Sequence, residues 1–421
     1  MKVLLVGSGG REHALAWKLI QSENCEQLFI APGNGGTGAL GTNVQLDIND
    51  YDAIGAFVRK QGIDMLIVGP EAPLVEGIRD HLESIEDLII VGPGKDGAAL
   101  EGSKSFAKSF MASAGVPTAN AKTFDQSQLD AALRFLGDMQ PPYVLKADGL
   151  AAGKGVIITS DYKEARETVE RMLNGQFGKA SSHILIEQFL SGIEYSVFAL
   201  CDGKNWVLLP EAKDYKRVGE GDTGPNTGGM GAVSPVPFFN TTLRQKTIDK
   251  VIQPTVDELI KRGIDYKGFI FFGLIAVDGE PYVIEYNCRM GDPETEVVMP
   301  RLKTDLVSLL EHMHHQTLDK VTVEFDGRHT VTVMLCSEGY PGSYEKKKTI
   351  HIDVGLHEAL LFHAGTTGAE GGELLTNGGR VIAITCQSED DVTSALVKAM
   401  TAAEKVSFEG KFYRKDIGFD L

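Results

Sequence analysis

No stretch of this 421-residue chain is apolar for the roughly 20 residues that a bilayer-spanning helix needs. The opening MKVLLV reaches Gly7 after a run too short for the core of a signal peptide. Cysteine is sparse: Cys25, Cys201, Cys288, Cys336 and Cys386 are odd in number, scattered, and never spaced C-x-x-C. That argues against a disulfide framework or a zinc site and fits a reducing cytoplasm. Positive charge is short as well, with 41 Lys and Arg against 58 Asp and Glu and a net charge of −17. Non-specific binding to nucleic acid or an anionic membrane is therefore not expected, because both are polyanions. Low-complexity segments and fixed-period repeats are also missing. A chain this acidic that handles phosphates must do so with locally placed cations and backbone N–H groups.

What is present is ordinary for a large core, at 43% hydrophobic and 24% charged, and the length suggests about three domains. In the first hundred residues the runs KVLLVG, QLFIAPG, DMLIVGP and LIIVGP read as buried parallel strands, each ending in glycine or Gly-Pro. REHALAWKLIQS and YDAIGAFVRKQG between them carry helical spacing. The fold class is thus α/β, beginning with a doubly wound parallel-sheet domain over 1–103 that binds ligands at the carboxyl ends of its strands. It is not a dinucleotide fold, because Glu12 stands where the third fingerprint glycine belongs and the second strand lacks the acidic residue for a ribose. A single phosphate on the helix N-terminus at Gly9 and Gly10, helped by Arg11, is the local expectation; a tight turn alone would also use these glycines.

KADGLAAGKGV, residues 146–156, resembles a misspelled P-loop. Only three residues separate Gly149 from Gly153, and Gly155 rather than Ser or Thr follows Lys154. The flanking YVLKAD and GVIIT read as strands, so the segment is a flap between two strands, free to fold over phosphates. Lys146 shares a strand face with Val144 and opposes Leu145. Helices are expected near 127–138 and 161–173. Further on, GFIFFGLIAVDGEPYVIEYNCRMGDPETE reads as a hairpin turning at Asp278-Gly279. On its second strand Glu285 and Asn287 face one way and Ile284, Tyr286 and Cys288 the other. Oxygen ligands two residues apart on a rigid strand suit a hard, phosphate-bound cation, although pairing of Glu285 with Arg289 would explain the pattern equally well. His312, His314 and His315 fan around a helix, unlike a ligand pair. Cys288 reads as a buried structural thiol. The remainder, 326–421, reads as a closing α+β domain that walls the site without a catalytic cluster of its own.

GSGGREHALAWK, VGPEAPLV, LEGSKSF, KADGLAAGKGV, DTGPNTGGMGA, EYNCRMGDPETE, FHAGT and TNGGRV follow one another in the order found in the ATP-grasp ligases. Among these the chain most resembles the phosphoribosylamine–glycine ligase family, over essentially its whole length. The resemblance implies an ATP-grasp domain over 104–325, with a small lid at about 118–190 that clamps ATP with Mg²⁺ or Mn²⁺. It implies that Lys104 and Lys146 neutralise phosphates, with Gly149, Gly153, Lys154 and Gly155 in the flap. Glu187, Phe189 and Leu190 would read adenine, and Glu194 the ribose. Glu285 and Asn287 would hold the metal. Arg289, Asp292, Asp214 and Lys216 would be catalytic. Thr227, Gly228, Gly229, Met230, Glu294 and Glu71 would bind substrate, and Gly9, Gly10 and Arg11 the phosphate of 5-phosphoribosylamine, with glycine as the other small-molecule substrate. A cytoplasmic, monofunctional enzyme is expected, with self-association left open. Lys213, Tyr215, Met290 and Glu296 depart from the family's usual residues, and Tyr215 cannot serve as a neutral-pH base as a histidine could. Another ATP-grasp carboxylate–amine ligase, a biotin-carboxylase-like enzyme, and a non-catalytic nucleotide-binding regulator are the alternatives.

Overall fold

A computed structural model describes residues 1–151, 155–369 and 371–421. Five parallel strands open the chain: β1 (Lys2–Gly7), β2 (Gln27–Pro32), β3 (Thr42–Asn43), β4 (Met65–Val68) and β5 (Ile89–Val91), in the order β3-β2-β1-β4-β5. Val3 to Val6 and Met65 to Val68 are buried on both faces, which is why these runs are continuously apolar rather than alternating. Helix α1 (Gly10–Leu19) leaves the end of β1 at the point where strand order reverses.

Helix α2 (Lys104–Ala114) starts at Ser103, whose hydroxyl accepts the Phe106 N–H, and stops at Gly115 in the left-handed conformation with φ +69°. Then comes an antiparallel sheet of β6 (Ala121–Asp125), β7 (Tyr143–Ala147), β8 (Val156–Thr159) and β9 (His183–Gln188), in the order β6-β9-β7-β8. Helices Leu129–Gly137 and Tyr162–Leu173 cover it, and Phe124, Leu136, Leu145, Val169 and Ile186 give it a core of its own.

A second antiparallel sheet follows: β10 (Ile193–Asp202), β11 (Trp206–Leu208), and, further along the chain, the long hairpin. Two short strands, β12 (Lys213–Asp214) and β13 (Gly231–Ser234), come between, followed by β14 (Lys267–Val277) and β15 (Glu280–Asn287), giving the order β11-β10-β14-β15. Asp278 and Gly279 make the hairpin turn with φ +51° and +74°. Tyr195, Phe272 and Tyr286 of this sheet share a core with Leu4, Val6 and Leu66 of the first, so the two sheets are fused by one apolar layer.

The last sheet is built on β16 (His329–Ser337), β17 (Ala359–His363) and β18 (Arg380–Ser388), in the order β12-β13-β16-β18-β17, with Lys411–Phe412 added at one end. It therefore takes in two strands from before residue 326, and through them it reaches the site. Among the described residues, no helix is long and apolar enough to cross a membrane.

Candidate active site

Between the lid sheet and the β10-β14-β15 face lies a cleft in two contiguous parts, which share Lys146, Val156, Glu187, Ile284 and Glu285. One part, of about 180 Å³, is the more polar, with Lys104, Lys108, Glu71, Glu101, Asn287 and Arg289 in its lining. The other, of about 220 Å³, is apolar, with Val144, Ile158, Phe189, Leu190 and Val283 on its walls and Glu194, Lys216 and Thr227 at its rim. An apolar slot opening onto a cation-lined chamber has the shape and polarity of a nucleotide: a flat ring at one end, phosphates at the other.

Strand alternation delivers Lys146. Leu145 is fully buried in the lid core while Val144 and Lys146 face the cleft. Glu187, directly across from Val144 on β9, accepts from Lys146 Nζ at 2.7 Å and lies 3.4 Å from Lys108 Nζ. Lys108 is one helical turn beyond Lys104 on α2, so both reach the same chamber. Burial pushes both of these lysines below the usual ammonium range, against the pull of Glu285 on Lys104 and of Glu187 on Lys108. The root of the flap is tied to α2: Asp148 accepts the Ser105 N–H at 2.7 Å and the Ser103 hydroxyl at 3.2 Å, and Lys104 Nζ donates to the Gly149 carbonyl at 3.3 Å. Gly155 lines the polar chamber, whereas Gly153 and Lys154 lie outside the described residues.

The expected alternation on β15 is broken. Gly273 pairs with Glu285 but Leu274 with Val283, so Ile284 is an extra residue in a bulge and lines the cleft beside Glu285 instead of facing away. Cys288 and Tyr286 remain buried, as their side of the strand requires. Arg289 does not pair with Glu285. Its Nη2 is 2.7 Å from Glu101 and its Nε 3.6 Å from Glu71, and both carboxylates, against the cost of burial, hold it firmly charged. Glu101 also accepts the Cys288 N–H at 2.8 Å and its thiol at 3.1 Å. The amide of Asn287 is satisfied with its nitrogen donating to Glu101 at 3.1 Å and to the Tyr286 carbonyl at 3.0 Å, which leaves its oxygen as the open acceptor. One carboxylate and one amide oxygen, both unengaged among the described residues, fit a hard cation that phosphate oxygens and waters complete.

Toward β12, Lys216 lies 3.0 Å from Asp214 and 3.3 Å from Glu194, and these carboxylates outweigh burial to raise its ammonium well above the usual range. Burial first, and then Asp214, push the Glu294 carboxyl to about 7; Ser196 Oγ donates to it at 3.3 Å. Asp292 is also deeply enclosed, but Arg380, Arg11 and Arg289 overcome burial and hold it below the usual carboxylate range.

Several expected residues are placed differently. The Met230 side chain is fully buried in the C-terminal sheet's core, with its sulfur 3.9 Å from that of Cys336. Thr227, Gly228, Gly229 and Met230 spend their N–H groups on Lys216 O, Tyr340 Oη, Thr227 Oγ1 and Tyr215 O, leaving no open donors for an anion. At the end of β1, Gly9 and Arg11 line a pocket with Asp292, but carboxylates already occupy the helix N-terminus. Glu12 accepts the Gly9 N–H at 2.6 Å and Arg11 Nε at 2.5 Å, and Asp292 accepts the Arg11 N–H at 3.4 Å. Gly10 faces inward, where a Cβ would stand 2.3 Å from Glu296. Tyr215 is a structural partner of Asp420, to which it donates at 2.7 Å, and Lys213 pairs with the same carboxylate at 3.2 Å. Lys108, Glu101 and Arg380 had no role expected of them, although Glu101 lies in LEGSKSF, Arg380 in TNGGRV, and Lys108 four positions beyond Lys104.

Two facing antiparallel sheets, with Lys146 on one, Lys104 and Lys108 on the helix beside them, and a carboxylate–amide pair on the other, make this an ATP-grasp enzyme. Family models for the N domain, the ATP-grasp (A) domain and the C domain of phosphoribosylglycinamide synthetase match residues 1–101, 102–295 and 330–420. The chain belongs to the phosphoribosylglycinamide synthetase family. It is 44% identical over 420 residues to a phosphoribosylamine–glycine ligase of Agrobacterium fabrum, covering 100% of this chain and 98% of that protein. To a protein of the same name from Pseudomonas aeruginosa it is 46% identical over 428 residues, with coverage of 100% and 98%. A crystal structure of a phosphoribosylamine–glycine ligase from Thermotoga maritima superposes with a TM-score of 0.86 at 36% identity, covering 99% of this chain and 100% of that one. A biotin carboxylase from Campylobacter jejuni, at 15% identity and a TM-score of 0.75 over 99% and 93%, shares the fold alone.

Proposed function

We propose that the chain joins glycine to 5-phosphoribosylamine at the expense of ATP, forming glycinamide ribonucleotide, ADP and phosphate in purine biosynthesis. The observation that carries this reading is the two-part cleft, set in a chain whose three family segments run in order along nearly its whole length. Adenine takes the apolar slot by Phe189 and Leu190, and Glu194 the ribose. Lys104, Lys108 and Lys146 face the phosphates, and Leu150, Ala151 and Gly155 border them. Glu285 and Asn287 would hold Mg²⁺ or Mn²⁺, which when bound draws charge from the phosphate oxygens.

Glycine's carboxylate is a poor electrophile, so it is first activated. A carboxylate oxygen bonds to the γ-phosphorus while the bond to the β-bridging oxygen breaks, giving glycyl phosphate and ADP. The amine then bonds to the acyl carbon, the carbon–oxygen bond to phosphate breaks, and the nitrogen gives up a proton. Lys216 and Arg289, both held charged, are suited to orient the carboxylate and the departing phosphate. Glu294, near 7, is suited to accept the amine's proton. Glu71, with Asp292 and the Gly9–Arg11 turn, borders the amine's path. ADP release measured with ATP and Mg²⁺, omitting glycine and freshly made phosphoribosylamine in turn, tests the reading. Release that needs both substrates supports it; release driven by bicarbonate, or none, overturns it.

A further inference from the structure

The C-terminal sheet sends one cation into the site. Arg380 opens β18, and its Nη1 donates to the Gly228 carbonyl at 2.6 Å, to the Asp292 carbonyl at 2.9 Å and, more weakly, to the Gly229 carbonyl at 3.4 Å. Its Nη2 lies 2.8 Å from Asp292 Oδ1. The same sheet holds the other side of the Gly228 peptide, whose N–H donates to Tyr340 Oη at 2.9 Å. The two glycines are what admit this packing. A Cβ on Gly228 would lie 3.0 Å from Arg380 Cζ, and one on Gly229, at φ +116°, would lie 2.3 Å from Pro293 Cδ. The glycine-rich turn is therefore a seat for a guanidinium rather than a cradle for an anion. Beyond it, Asp292 lines the pocket at the end of β1, with its Oδ2 toward the Arg11 N–H.

We propose that Arg380 is a positioning residue for the amine substrate: by gripping both the backbone and the carboxylate of Asp292, it sets that carboxylate where an amine N–H of a phosphorylated sugar can donate to it. The proposal rests on the ligase reading. Arg380 touches no reacting atom; it acts through Asp292, whose negative charge it also secures. A merely structural clamp would loosen everything together, whereas a positioning residue affects one substrate and one titration.

The test uses Arg380→Gln and Arg380→Lys in the full chain, with steady-state kinetics for each substrate and a pH profile for the amine. In Arg380→Gln, kcat/KM for phosphoribosylamine should fall about tenfold or more, while KM for glycine and the affinity for a non-hydrolysable ATP analogue stay within about twofold. Below the limb that Glu294 sets near 7, the amine profile should fall more steeply toward acid pH than the wild type's, because Asp292 loses its nearest countercharge and takes up a proton sooner. Arg380→Lys, which keeps the charge, should restore the wild-type slope there while recovering only part of the rate. Asp292→Asn added to Arg380→Gln should cost little more than either change alone. Unaltered amine kinetics, equal losses for all three substrates, an unchanged slope below that limb, or additive effects would each overturn the proposal. If Arg380→Gln does not fold, Arg380→Lys decides: an amine-specific loss supports the role, and an even loss removes it. Wild-type enzyme that makes no amide would overturn the ligase reading instead, and that is a separate outcome.

Discussion

Replacing Lys146 with methionine removes one ammonium from the cleft and leaves an unbranched side chain of similar length. In the free enzyme that ammonium is 2.7 Å from Glu187 Oε2, and Lys108 is 3.4 Å from the other oxygen of the same carboxylate. Breaking a buried pair by removing one partner costs about 3–5 kcal/mol when the other charge is stranded. Here Glu187 keeps Lys108, so Lys146→Met should cost only about 1–2 kcal/mol of stability, within the usual span for a single substitution. With nucleotide bound, the lost contact is a charge-assisted hydrogen bond to phosphate, worth about 1.5–3 kcal/mol. That converts to a weakening of ATP binding of about 10- to 150-fold. The assay is calorimetric titration with a non-hydrolysable ATP analogue and Mg²⁺, beside urea unfolding of the same preparations. The double change Lys108→Met with Lys146→Met should show the full cost of a stranded Glu187. Nucleotide affinity unchanged within about twofold in a folded Lys146→Met protein would refute the phosphate role. A single variant as unstable as the double would refute the shared-carboxylate argument.

Glu285→Gln should lower turnover about a hundredfold at limiting Mg²⁺ while leaving unfolding within about 0.5 kcal/mol, because among the described residues Glu285 makes no ion pair; near-normal turnover removes it from the metal site. Glu296 is fully buried with both oxygens unpartnered, and burial first and Asp292 next push its carboxyl well above 4.5. The fold thus keeps a proton that the unfolded chain releases, so stability falls as pH rises through that interval. Glu296→Gln should be relatively stabilised by about 1.4 kcal/mol for each pH unit above roughly 5 until the folded-state value is reached, and not at pH of about 4; a pH-independent difference in urea unfolding would count against it. His13 accepts the His363 N–H at 2.9 Å where the first and last sheets meet, and burial holds the two rings near 3 and 4, below the ordinary 6.5. Their contribution is full above about 6.5 and is lost as pH falls toward those values, so His13→Gln should flatten the slope of stability between pH 5 and 6 by about 1 kcal/mol per pH unit; an unchanged slope would refute it.

The first sheet was legible because a parallel strand buried on both faces has no choice but to be continuously apolar, and four of its five strands are such runs. The fifth, Thr42–Asn43, is two exposed residues with no pattern to read. The flap hairpin and the Asp278-Gly279 turn were legible for local reasons, since strand alternation and left-handed turn residues are written within a few positions. The bulge at Ile284 was not, because it is a property of the pairing between β14 and β15 and neither strand alone records it. Arg380 and Glu101 lie in the motifs TNGGRV and LEGSKSF, but their partners escaped for the same reason at longer range. One reaches a turn some 150 positions earlier and the other an arginine some 190 positions later, separations at which a single sequence carries no signal. Met230 shows the converse. A glycine-rich run marks a turn, but it does not say which neighbouring side chain the core will claim.

The cations that face the site are almost all spoken for before any ligand arrives. Lys146 and Lys108 share Glu187, Arg289 sits between Glu101 and Glu71, Lys216 between Asp214 and Glu194, and Arg380 faces Asp292. Pairing is what lets a chain of net charge −17 keep them desolvated, since an isolated buried ammonium would give up its proton. It also means that a triphosphate enters by exchange of partners and meets a chamber already close to neutral. Among the described residues lining the polar chamber, two ionisable groups stand outside these pairs. Lys104 has only the Gly149 carbonyl, and Glu285 has no hydrogen bond or ion pair. One unmatched cation and one unmatched carboxylate facing the same chamber divide the work: the lysine is open to a phosphate oxygen, and the carboxylate is open to the divalent cation that must accompany the phosphates to balance their charge.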